Sequence, residues 1–76
     1  MNSRISINPA VCHGKPVIKG TRVLVKNILA DLAAGESPEE IVRNYPNISK
    51  ADIQAALEFG SELASFEGRE FEAALK

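Results

Sequence analysis

Ser37-Pro38-Glu39-Glu40-Ile41-Val42-Arg43-Asn44-Tyr45-Pro46-Asn47-Ile48-Ser49-Lys50-Ala51-Asp52-Ile53 contains two helix starts and the stop between them. Ser37 can cap free backbone amides. Pro38 falls at the first helical position, where its missing N–H costs nothing, and Glu40 is spaced to bond back to the cap. The helix so begun carries Ile41 and Val42 and must end near Tyr45, because Pro46 disfavours helical backbone in the residue before it. Asn47-Ile48 is the connecting turn. Ser49 with Asp52 repeats the cap-and-return spacing and opens another helix, whose apolar stripe reads as Ile53, Ala56, Leu57, Gly60 and Ala64. Upstream, Val25, Ile28, Leu29 and Leu32 recur on one helical face, and Gly35 suits a left-handed cap after the last turn. Three helices follow, the last two joined as a helix-turn-helix.

The segment before them has the period of strands. Arg4-Ile5-Ser6-Ile7 alternates polar and apolar, and Asn8-Pro9 ends the run as a turn. Residues 10–16, with Cys12-His13-Gly14-Lys15-Pro16, read as a loop. Val17-Ile18 is a β-branched pair, Gly20 interrupts, and Val23-Leu24-Val25 resumes the strand pattern. The expected fold is mainly α: a three-helix helix-turn-helix or winged-helix-like unit with a short N-terminal β-element. One domain is expected over residues 1–64, followed by an acidic amphipathic tail over 65–76 that carries Phe66, Phe71 and Leu75 among its acids.

With 76 residues the chain makes one thin-cored domain, of a size that usually needs a disulfide, a metal or a partner chain. One cysteine permits no internal disulfide, and one cysteine with one histidine closes no structural zinc site. No metal or cofactor is therefore expected, and a homodimer or heterocomplex is. No apolar signal core or membrane-length run is read, and the free thiol points to a reducing cytoplasm. The net charge of −1 hides a division. Residues 1–26 hold Arg4, Lys15, Lys19, Arg22 and Lys26 and no acid, a balance of +5, whereas residues 27–76 balance at −6. Such asymmetry points to two surfaces for two partners, unless the charges mix once the chain folds.

Helix-turn-helix units commonly place their last helix in the DNA major groove. Its exposed positions here read as Lys50, Asp52, Gln54, Ala55, Glu58, Ser61 and Glu62. Only Lys50 and Gln54 suit base reading, and Glu58 and Glu62 would repel phosphate. The basic first third is the stronger candidate, with Arg4, Lys15, Lys19, Arg22 and Lys26 as phosphate contacts. No aromatics interleave with them, so stacking on single-stranded bases is not expected. The competing reading pairs these cations with Glu39 and Glu40. Gly20-Thr21-Arg22 reads either as a structural corner or as the mount for a forked donor aimed at phosphate or carboxylate. An enzyme is not expected: Cys12 and His13 are adjacent, so their side chains diverge on an extended segment, and no second histidine supplies a base.

Ile5-Ser6-Ile7-Asn8-Pro9, His13-Gly14-Lys15-Pro16-Val17-Ile18-Lys19-Gly20-Thr21-Arg22-Val23, Ala34-Gly35-Glu36-Ser37-Pro38-Glu39-Glu40-Ile41, Tyr45-Pro46-Asn47-Ile48 and Asp52-Ile53 together resemble the bacterial domain-of-unknown-function family 433, in order, over about residues 5 to 60. The resemblance implies a small winged-helix-related protein, often dimeric, and frequently paired with a PIN-like ribonuclease toxin as the proposed antitoxin of a type II toxin–antitoxin module. Such antitoxins bind operator DNA and cover the toxin with a terminal segment. On that reading the basic third faces DNA, and Phe66, Phe71 and Leu75 anchor the acidic tail on the toxin. No catalytic residue, small-molecule substrate or membrane partner is implied. The alternative is a protein-interaction module without DNA binding.

Overall fold

A computed structural model describes residues 2–65; Met1 and residues 66–76 lie outside the described part. Strand β1 (Ile5–Ser6) pairs antiparallel with β2 (Val17–Ile18), in the register Ile5 opposite Ile18 and Ser6 opposite Val17. Val17 also bridges to Leu24, so the chain turns back on itself just before the first helix. Three helices follow: α1 (Val25–Ala33), α2 (Pro38–Asn44) and α3 (Lys50–Ala64). The architecture is mainly helical with a short N-terminal β-element, as the sequence pattern predicts.

Each helix end is held by its local sequence. Ser37 Oγ accepts the Glu40 amide at 3.1 Å while Glu40 Oε1 accepts the Ser37 amide at 2.9 Å. Ser49 and Asp52 repeat the exchange at 3.3 and 2.9 Å. A lost cap of this kind costs about 1 kcal/mol. After α1, Gly35 takes a φ of +94°, its amide bonds the Leu32 carbonyl, and the Glu36 amide bonds the Asp31 carbonyl. This is the Schellman closure that a glycine makes possible.

The core is aliphatic. Ile5, Ile18, Val23, Val25, Ile28, Ile41, Ile48, Ile53, Ala55, Ala56 and Phe59 form one buried cluster, with Leu29, Leu32, Val42 and Tyr45 packed against it. No polar or charged side chain is buried among the described residues. Gly60 lets α3 approach α1 closely: a Cβ there would sit 3.4 Å from a Leu29 methyl.

Several residues sit otherwise than the sequence pattern predicts. Ala55 is buried, 1% exposed, instead of lying on the outer face of α3, while Leu57 is 44% exposed and Ala64 is also exposed, outside the core stripe. The reason is that α3 packs against α1, α2 and β1 together, so its buried face is rotated from the simple stripe toward Ile53, Ala55, Ala56 and Phe59. Ile7 is 49% exposed because β1 ends at Ser6, before the alternation can carry Ile7 inward. Of the two readings of Val25, the helical one holds: it is the buried first residue of α1 and does not extend a strand.

Candidate binding surface and groove

The loop between the strands is a chain of tight turns. Asn8 Oδ1 accepts the Ala10 amide at 2.9 Å, and the Asn8 carbonyl accepts the Val11 amide at 2.9 Å. Three left-handed residues follow: Cys12 (φ 49°), His13 (φ 58°) and Gly14 (φ 79°). Left-handed backbone costs a non-glycine residue roughly 1–2 kcal/mol, so Cys12 and His13 are held there by their surroundings. The amides of Gly14 and Lys15 bond the carbonyls of Val11 and Cys12. The Cys12 thiol meets the Arg22 carbonyl at 3.8 Å, which ties this loop to the corner after β2.

At that corner Gly20 has a φ of +80°. Thr21 Oγ1 donates to the Ile18 carbonyl at 2.7 Å and accepts the Val23 amide at 3.0 Å. The threonine hydroxyl is thus saturated by the corner, and Arg22 projects from a fixed base. Gly20 and Thr21 build the structural corner, and Arg22 is exposed with no side-chain partner among the described residues.

The structure separates the seven cation and amide candidates. Arg4 Nη1 pairs with Asp52 Oδ1 at 3.1 Å, and Lys50 Nζ with Glu39 Oε1 at 2.8 Å. The Lys50 contact contributes most to holding the Glu39 carboxyl below its ordinary range. Lys15, Lys19, Arg22 and Lys26 are exposed and make no ion pair with described residues. They flank the inter-strand loop, the corner and the start of α1. Glu39 and Glu40 therefore do not neutralise the N-terminal cations: one serves Lys50 and the other serves the Ser37 cap. Gln54 is exposed on α3. Phe66, Phe71 and Leu75 lie outside the described residues.

Sequence reading missed a groove. An open depression of about 590 Å³ lies between the β-element and the turn that joins α2 to α3. Ser6, Asn8, Thr21, Arg22 and Asn47 supply its polar wall, and Val11, Val17 and the Gly20 backbone its remainder. Among the described residues, no carboxylate and no aromatic ring lines it. Its residues come from three stretches, 6–11, 17–22 and Asn47, and form no local motif. Among described residues no three His, Cys, Asp or Glu side chains cluster as a metal site, and no helix is long and apolar enough to cross a membrane.

These features define a small three-helix domain in which, among the described residues, Lys15, Lys19, Arg22 and Lys26 form an exposed set of cations without ion pairs on the β-element and the start of α1. The chain belongs to the family described as Protein of unknown function (DUF433), whose model matches residues 5–60. It is similar to Uncharacterized protein y4eO of Sinorhizobium fredii (strain NBRC 101917 / NGR234), at 35% identity over 52 residues, covering 68% of this chain and 24% of that protein. The chain thus matches about a quarter of that relative's length. No solved structure matches it.

Proposed function

We propose that the protein is a cytoplasmic antitoxin of a type II module. It would work by binding and not by catalysis, with operator DNA on the basic N-terminal face and a PIN-like ribonuclease toxin on the acidic tail. The observation that carries the DNA half is the set of four cations, Lys15, Lys19, Arg22 and Lys26, that make no ion pair with described residues, beside two that do. Phosphate affinity comes from cations that release counterions on contact, and a cation held by its own carboxylate contributes less. The reading therefore keeps the DNA-facing surface on the β-element and the start of α1, with Lys50 of α3 already held by Glu39. The toxin half rests on the sequence resemblance and on the charge and three apolar residues of 65–76.

The test is fluorescence anisotropy on the DNA upstream of the gene, across a salt series. Replacing Lys15, Lys19 and Arg22 together by alanine should weaken binding and lower the log–log salt slope by about 2 to 3, at roughly 0.9 per lost phosphate contact. Arg4→Ala and Lys50→Ala should change the slope much less. An unchanged slope in the triple variant would remove the N-terminal face from the proposal. Deleting 65–76 should abolish rescue from a co-expressed toxin and spare DNA binding. The second reading, a protein-interaction module alone, is favoured by one feature: Glu58 and Glu62 stand exposed on α3, the helix that such folds usually present to DNA. Absence of binding even at low salt would favour it.

A further inference from the structure

The groove beneath Arg22 has the chemistry of an anion site, and the shape of its lining limits which anion it takes. Arg22 offers a planar forked donor with no partner among the described residues, and Asn8 and Asn47 add side-chain amides. The described lining offers no aromatic ring for a nucleobase to stack on. The two valines and the open Gly20 backbone suit an extended peptide instead; nothing lies within 4 Å of where a Cβ on Gly20 would stand.

The geometry points to one occupant: the acidic stretch Glu67-Gly68-Arg69-Glu70-Phe71-Glu72 of a second copy of this chain, with a carboxylate paired to Arg22. Charge complementarity is the first argument, since the +5 third that carries the groove and the tail that carries Glu67, Glu70 and Glu72 belong to one sequence. Reach is the second. The described chain ends at Ser65, just past the C-terminal end of α3, whereas Asn47 brings the groove to the other end of that helix. The 15 residues of α3 span about 22 Å. Seven extended residues from Ser65 to Glu72 reach about 24 Å, so a return within one molecule has no slack. A neighbouring molecule meets no such limit. Reciprocal exchange fills two grooves and closes a two-fold dimer.

Cys12 makes the test direct, because it is the chain's single cysteine and its thiol lies against the Arg22 carbonyl. A nitroxide on Cys12 of unlabelled full-length protein is mixed with ¹⁵N-labelled full-length protein that carries no nitroxide. The amides of residues 67–72 should lose most of their intensity, and recover in about 1 M NaCl, where the Debye length falls to about 3 Å. They should also recover when the nitroxide-bearing chain carries Arg22→Gln, or when the ¹⁵N chain carries Glu67→Gln, Glu70→Gln and Glu72→Gln together. Arg22 lies outside the buried cluster. Tail amides that stay sharp in the mixed sample, or broaden only when both labels share one molecule, overturn the second-copy docking. Broadening that survives both variants overturns the role of Arg22. No nucleic acid or toxin is present, so failure here leaves the antitoxin reading standing, and the reverse also holds.

Discussion

Replacing Asp52 by alanine tests how the β-element is fixed to the helices. Its Oδ2 accepts the Ser49 amide at 2.9 Å and completes the cap of α3, while its Oδ1 accepts Arg4 Nη1 at 3.1 Å, from the residue that leads into β1. The side chain is 13% exposed and that of Arg4 is 52% exposed. Losing the returning half of a capping box costs about 1 kcal/mol. The ion pair, open on the arginine side, adds at most about 1 kcal/mol. Asp52→Ala should therefore lower stability by roughly 1–2 kcal/mol, and each kcal/mol should lower Tm by about 4–8 °C in a domain of this size. Asp52→Asn keeps an acceptor for the Ser49 amide and should lose only the Arg4 share. Urea unfolding followed by helical circular dichroism measures both. The double-mutant cycle with Arg4→Ala isolates the pair, which should fall between about 0.2 and 1 kcal/mol and shrink in salt. A cycle energy of zero at low salt would show that Arg4 and Asp52 are merely neighbours, and that the β-element is positioned by its apolar contacts alone.

Gly35→Ala should cost about 1–2 kcal/mol in the same assay, although nothing would crowd the new methyl, because the strain lies in the φ of +94°; a neutral result would refute that account of the α1 cap. Acid titration should separate two carboxylates of opposite sign. The Ser37 amide, first among several causes, holds the Glu40 carboxyl below its ordinary 4.5, so its contribution is complete above that value and is lost as pH falls through the lower folded value. Desolvation first, and then the charge of Asp31, raises Glu36 above 4.5, so its contribution is present below that value and lost as pH rises through the folded one. Glu40→Gln should flatten the acid-side loss of stability and Glu36→Gln should raise stability at neutral pH, both read from urea midpoints across pH; the opposite ordering would refute the assignment.

The parts of the fold legible in the sequence are those written in consecutive residues. Both capping boxes, the Pro46 stop and the Gly35 cap are bonds between a side chain and backbone a few positions away, so spacing alone reveals them. The inner face of α3 was only partly legible, because three elements press on that helix and displaced the stripe from Leu57 to Ala55. The left-handed turn at Cys12 and His13 left no trace, since neither residue type demands positive φ. Charge was legible as a total and not as a map. That Arg4 and Lys50 are held by Asp52 and Glu39, and that Arg22 is not, follows from contacts between distant segments. The groove was hidden for the same reason.

The buried side chains of the described residues all fall between Ile5 and Phe59, and the family model spans almost the same interval, residues 5–60. What defines the family is thus the stretch that closes its own interior. The match to a quarter of a much longer relative falls on that same self-contained stretch.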